Sequence, residues 1–363
     1  MFLKTRTYLD FAAGREPSAS STHTEGRQMR IRLEAARVEI ARLVECKADD
    51  VVFTSGVTEA NALALLGLAK PGSHMLYLPS AHASIVENIK LVAERYNVET
   101  EPLKITEGEV DVEALKKQLR PETILVSMEA VCGETGTIWN TREVKNAIGK
   151  IHLHVDASQA VFTEKVSRSH FGADVLTFDG NKLGARGAGC LIAHRTITLA
   201  PLYGGGGQER GLRSGTENVE AIERFAFALA TATSAREEFK ARASMRRTEL
   251  IAALSGIPNL YINEGRQVAP HILNLSLSGR DTDYLCALLD QAGFAVSTKS
   301  ACESSNGEGS RAVQALTDDP IRAASTLRIS FEASISSRAL IRFAAALGEA
   351  TNFIDSTGSR AHD

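Results

Sequence analysis

Short apolar runs, each followed by a glycine or polar turn and then a helix-length segment, constrain this chain more than any other feature. Residues 51–54 read Val-Val-Phe-Thr, then Ser55-Gly56, then a helical pattern over 59–68. The unit recurs. Strand-like runs stand at 75–78, 123–127, 153–155, 174–178 and 190–193, with helical runs at 84–96 and 111–119 between several of them. Such alternation predicts an α/β domain on a mostly parallel sheet. Ligands bind at the C-terminal strand ends of such sheets. Polar residues just after strands therefore carry weight: Thr58, His82, Asp156 and Lys182. Before the first strand, residues 27–46 carry apolar side chains at helical spacing, Ile31, Ala35, Val38 and Leu43 among them. They predict an amphipathic helix with Arg and Glu on its wet face.

A glycine run, Gly204 to Gly207, breaks the alternation, and a long charged helical stretch follows over 219–254. Beyond it stand short elements at 272–277, 284–289, 296–298 and 327–331, which suggest a small α+β unit. A length of 363 residues favours a large domain plus a smaller one. The expected division is a large α/β domain over 14–254 and a small α+β domain from 1–13 and 255–363. The polar tail at 356–363 is expected to fray.

The chain is 44% hydrophobic and 23% charged with a net charge of −3, ordinary values for a globular protein. No basic excess favours nucleic acid or an anionic membrane. No apolar stretch is long enough to span a bilayer, and no signal peptide is indicated. Five cysteines, Cys46, Cys132, Cys190, Cys286 and Cys302, form no Cys-x-x-Cys pair. An odd count at such spacing argues against a disulfide framework or a Cys-rich zinc site, and for a reducing, cytoplasmic setting. His152-x-His154 alternates along a strand and reads as structural, so no metal is expected.

Phosphate signals are mixed. Gly206-x4-Gly211 is followed by Leu212-Arg213, without the Lys and hydroxyl of a Walker A loop, which excludes an ATPase reading. Ser55-Gly56-Val57-Thr58-Glu59 places glycine and a helix start together, a setting suited to an anion. Taken alone, it reads better as an ordinary cap by Ser55 or Thr58.

Several segments occur in one order: Tyr8-Leu9-Asp10-Phe11-Ala12-Ala13, Ser55-Gly56-Val57-Thr58-Glu59-Ala60-Asn61, Ala81-His82-Ala83-Ser84, Glu134-Thr135-Gly136, His154-Val155-Asp156-Ala157-Ser158-Gln159 and Gly180-Asn181-Lys182. A long block at 205–218, Gly-Gly-Gly-Gln-Glu-Arg-Gly-Leu-Arg-Ser-Gly-Thr-Glu-Asn, comes next, then Ser300-Ala301-Cys302 and Leu327-Arg328-Ile329-Ser330-Phe331. Together they resemble the cysteine desulfurases, within the class V aminotransferases of pyridoxal 5'-phosphate (PLP) fold type I. The resemblance covers nearly the whole chain.

It implies the PLP-dependent transferase fold and a role for each side chain. Lys182 would hold PLP as a Schiff base and move protons at the substrate Cα. Asp156 would pair with the ring nitrogen, Gln159 with the ring's phenolic oxygen. His82 would stack on the ring and transfer protons. Val57 and Thr58 would bind the phosphate, with Asn181 beside the lysine. Thr216 would reach the phosphate of a neighbouring subunit, which implies a homodimer. Arg328 would clamp the carboxylate of L-cysteine. Cys302, in a polar, Gly-rich stretch over 303–310, would take the sulfur as a persulfide and pass it to an acceptor that the sequence does not name, for iron–sulfur assembly, tRNA thiolation or another pathway. The other four cysteines read as inert core residues.

The chain departs from the family at several positions. Asn181 replaces a usual His, Asp179 a phosphate-binding Ser, Gly133 an Asn and Lys299 a Gly, and the N-terminal region after Ala13 is shortened. Asp179 would have to turn away, be protonated or find a cation, with Arg186 a candidate. Gly133 leaves the ring oxygen to Gln159 alone. Two other readings stand: a same-fold lyase acting on selenocysteine or another cysteine derivative, and a catalytically impaired homologue with a binding or scaffold role.

Overall fold

The computed structural model describes residues 7–298 and 309–357. Helix α1 (Thr24–Leu43) leads into β1 (Val51–Thr54), and α2 (Val57–Leu68) follows. Then come β2 (His74–Tyr77), α3 (Ala83–Tyr96), β3 (Glu99–Pro102) and a small hairpin of β4 (Ile105–Thr106) and β5 (Glu109–Val110). Next are α4 (Val112–Gln118), β6 (Thr123–Glu129), α5 (Thr141–Ile148), β7 (His152–Asp156), α6 (Arg168–Phe171), β8 (Val175–Asp179) and β9 (Gly189–Ala193). The long α7 (Val219–Leu254) precedes β10 (Leu260–Ile262), β11 (Ile272–Leu277), α8 (Thr282–Gln291), α9 (Arg311–Thr317), α10 (Pro320–Ala324), β12 (Thr326–Ser330) and α11 (Ser337–Thr357).

Seven strands make one sheet in the order β1-β9-β8-β7-β6-β2-β3. Neighbours pair in parallel from β8 through to β3, while β9 runs antiparallel to both β1 and β8. This is the mostly parallel sheet that the alternation predicts. Its interior strands β8 and β9, and β1 beside them, are buried throughout, which is why they read as nearly continuous apolar runs. The edge strand β3, Glu99-Thr100-Glu101-Pro102, is polar and partly exposed, so it gives no apolar signal.

A second apolar core lies apart from the sheet's. Strands β10, β11 and β12 form an antiparallel sheet. Leu273, Leu275 and Leu327 from it pack with Leu285 of α8, Leu347 of α11 and the C-terminal half of α7 through Ala243, Leu250 and Leu254. At about 1.5 Å per residue, the 36-residue α7 is about 54 Å long and contributes to both cores. Residues 296–298, expected as a short element, make one bridge, Ser297 to Arg328.

The face of α1 differs from the expected one. Ile31 is 68% exposed and Val38 57%, and Ala35 is exposed too, while Leu33, Ala36, Ile40 and the charged Arg37 are buried. Both stripes carry apolar residues at helical spacing, so periodicity alone does not choose between them. Arg37 turns inward because it has a buried partner, Glu209, at 2.6 Å.

Candidate active site

The parallel strands end on one edge of the sheet, and their last residues converge there. A cavity of about 350 Å³ opens between the ends of β6, β7 and β8 and the start of α2. That volume falls in the usual range of roughly 300–1,000 Å³ for small-molecule sites. Gly189 makes the narrow end possible. A β-carbon there would stand 2.7 Å from the Cα of Gly56, so only glycine lets β9 approach the turn before α2 so closely.

Asp156, the last residue of β7, is held by two donors. Asn61 Nδ2 lies 2.8 Å from its Oδ2, and the Ser158 N–H 2.9 Å from its Oδ1. Asn61 in turn accepts from Thr177 Oγ1 at 2.6 Å and donates to Ser84 Oγ at 2.9 Å. Buried polar groups held this fully have one orientation. The chain of contacts ends on His82, the residue capping α3. Its Nδ1 lies 2.8 Å from Ser84 Oγ and accepts the Ser84 N–H at 3.2 Å. With Nδ1 accepting, the neutral ring carries its proton on Nε2. Burial holds the His82 pKa below the usual imidazole value.

Lys182 follows β8 in a single 3-10 turn, Asn181–Leu183, and lines the cavity with Asn181, Gln159, Val57 and Thr58. The preference for an ordinary cap on α2 is overturned. The N-cap is Gly56, which has no side chain to cap the helix. Helix α2 presents its positive end to the cavity, where the Asp179 carboxylate meets the Val57 N–H.

Lys182, Gln159 and Gly133 also line an adjoining cavity of about 630 Å³, where Arg328 of β12 brings in the second core. Arg328 Nη1 donates to the Gly133 carbonyl at 3.2 Å. Thr216 is exposed in the Gly-rich loop and does not line the Lys182 cavity. Cys302 and Lys299 lie outside the described residues. The four described cysteines are free thiols. Burial raises the pKa of each, Cys46 and Cys286 to about 11 and Cys132 and Cys190 further, so none is a ready thiolate.

The family model "Aminotransferase class-V" matches residues 5–340. The chain belongs to the class V aminotransferase family. It is 35% identical over 304 residues to the "Cysteine desulfurase IscS 1" of Archaeoglobus fulgidus, covering 82% of this chain and 79% of the relative. It is 34% identical over 354 residues to a "NifS/IcsS protein homolog" of Lactobacillus delbrueckii subsp. bulgaricus, covering 91% and 89%. Among solved structures, a "NIFS-LIKE PROTEIN" superposes with a TM-score of 0.85 at 26% identity, covering 94% of this chain and 93% of that one. A NifS-like protein from Rickettsia africae gives 0.83 at 25%, covering 95% and 94%.

Against this class V background, the unusual positions have clear surroundings. A β-carbon at Gly133 would lie 3.1 Å from Gln159 Nε2, so the glycine makes room for Gln159. Asp179, the last residue of β8, is buried, and its Oδ1 accepts the Asn181 N–H at 3.2 Å. It does not turn away, because it lines the cavity. Arg186, the candidate cation, is exposed, and no ion pair joins it to Asp179 among the described residues. Two cavity residues receive no role from the sequence. Glu129 ends β6, fully buried, with Oε1 unpartnered, and burial and Asp156 raise its pKa well above the usual carboxylate range. Ser158 Oγ is likewise buried and unpartnered. Their only mark in the sequence is position, at or just past a strand end.

Proposed function

We propose that this chain is a PLP-dependent cysteine desulfurase that converts L-cysteine to L-alanine and leaves the sulfur as a persulfide on Cys302. One observation carries the reading: Lys182, Asp156, His82 and Gln159 line one cavity, and Arg328 borders the next. The cavity suits PLP. Buried, unpartnered Ser158 Oγ lines it, the N-terminus of α2 opens on it, and Asp156 is fixed at its wall. When bound, PLP supplies the electron sink that makes a substrate Cα–H acidic.

The chain's own residues supply the rest. Lys182 is the covalent anchor and the base at Cα. Asp156, gripped by Asn61 and Ser158, would hold a proton at the ring nitrogen. Gln159, with space opened by Gly133, would meet the ring's phenolic oxygen. His82 presents Nε2–H over the same cavity. Arg328 keeps donors beyond its bond to Gly133 for a bidentate grip on the substrate carboxylate. The Cys302 thiolate takes the substrate sulfur: an S–S bond forms as the Cβ–Sγ bond breaks, and the electron pair stays with the carbon fragment. That fragment gains protons and leaves as alanine.

The exposed apolar side chains Ile31, Val38 and Phe227, on the packed pair α1 and α7, support a homodimer in which Thr216 serves the neighbouring site. A cytoplasmic setting fits the free thiols. Among the described residues, no helix is long and apolar enough to cross a membrane. The first test is the visible absorption spectrum of the purified protein before and after L-cysteine, followed by alanine release from Cys302→Ser. A yellow band that shifts with cysteine, and loss of alanine release in the variant, are expected. No band after incubation with PLP would reject the reading, and so would normal alanine release from the variant.

A further inference from the structure

If the cavity takes PLP as proposed, a carboxylate stands where the phosphate must enter. Helix α2 begins at Val57 behind Gly56, an N-cap residue without a side chain, and Ser55 to Thr58 line that end of the cavity. Asp179 shares this end. Its Oδ1 lies 3.5 Å from where a β-carbon on Gly56 would stand, and its carboxylate is beside the Val57 N–H. Asp179 thus already occupies part of the positive helix end that would attract a phosphate.

The charges around it do not offset a second anion. From β7, Asp156 faces the same cavity, and from β6, Glu129. Glu59 lines it from the first turn of α2, engaged with Arg213 at 3.1 Å and Tyr203 at 2.7 Å. From the start of α3 comes His82. Lys182 is the one Lys or Arg among the described lining residues, and it is committed to anchoring the cofactor. A free phosphate monoester is mostly a dianion above about pH 6.

We propose that Asp179 makes capture of the phosphate proton-linked: PLP binds with one proton held between its phosphate and Asp179, so affinity falls as pH rises. Burial already favours the protonated form of Asp179 more than the Asn181 N–H and Lys182 oppose it. The proton comes from solvent on binding and returns on release, so the step balances.

The test uses the full chain freed of PLP and titrated with PLP at several pH values between about 6.5 and 8.5, read by protein fluorescence and 31P NMR. One linked proton raises Kd by roughly tenfold per pH unit. Pyridoxal, which lacks the phosphate but keeps the aldehyde, is titrated in parallel to remove the pH dependence of anchoring at Lys182. The wild type is expected to show the extra slope with PLP only. Asp179→Ser and Asp179→Asn should lose it, bind PLP at least tenfold more tightly at the highest pH, and leave pyridoxal affinity unchanged. The bound 31P resonance should move toward the dianion position in both variants. Equal slopes and equal Kd values for wild type and variants would overturn the proposal. Failure of all three proteins to bind either aldehyde would instead overturn the PLP reading on which it rests.

Discussion

Removing either partner of the buried Arg37–Glu209 pair should unfold the protein more easily, and removing both should cost well short of the sum of the two. Arg37 Nη1 and Nη2 donate to the two carboxylate oxygens of Glu209 at 2.8 and 2.6 Å. The Phe53 N–H donates to Glu209 at 2.7 Å, and Arg37 Nη1 reaches the Val51 carbonyl at 2.9 Å. Side-chain exposure is 10% for Arg37 and 1% for Glu209. Breaking a buried pair from one side leaves an uncompensated charge, at a cost of about 3–5 kcal/mol. Arg37→Met and Glu209→Leu should each lose that much, so independent effects would sum to about 6–10 kcal/mol. The double variant instead strands only the Phe53 N–H and the Val51 carbonyl, at roughly 1–3 kcal/mol each. Its expected loss is thus about 2–6 kcal/mol, with several kcal/mol of coupling. Urea unfolding at fixed protein concentration and neutral pH measures all four proteins. A single variant costing under about 1 kcal/mol would refute the reasoning, and so would a double variant equal to the sum.

Two further outcomes are expected. His271 is buried among Phe162 and Phe239, and burial lowers its pKa to about 4. The unfolded chain, with an imidazole pKa of about 6.5, binds more protons below neutrality, so stability falls as pH drops from about 7 toward 4. The loss from this group is about 1.4 kcal/mol at about pH 5.5, and His271→Leu should remove that share of the difference between urea midpoints at pH 7.5 and 5.5; an unchanged difference would count against it. At Gly133, an Asn would put its β-carbon 3.1 Å from Gln159 Nε2 and displace Gln159 by a few tenths of an ångström. The absorption maximum of bound PLP should then shift in Gly133→Asn, and a spectrum identical to the wild type would show that Gln159 does not set it.

Much of this architecture is legible in the sequence because strands covered on both faces must be apolar throughout. Residues 51–54 match β1 as observed, and the run at 123–127 extends only to Glu129 in β6. Where that cause is missing, so is the signal. The polar edge strand β3 escapes it, and α11 is missing from the expected elements although Leu340, Phe343, Leu347 and Ile354 recur at helical spacing and are buried. The wrong face of α1 has another cause. Its inward side includes an arginine whose partner lies 172 residues away, and no local pattern reveals that.

The sequence by itself determined the family, the alternating fold and the chemical identity of the groups at the strand ends, because these depend on residue type and order. Tertiary structure alone decided their electrostatics. It buried Glu129 with an unpartnered oxygen, placed His82 so that Nδ1 accepts, and set the Asp179 carboxylate at the Val57 N–H of α2. It also turned Asp179 into the cavity rather than away from it. Each of these depends on which strand ends meet across the sheet, and so on desolvation and distance, which a linear order of residues does not contain.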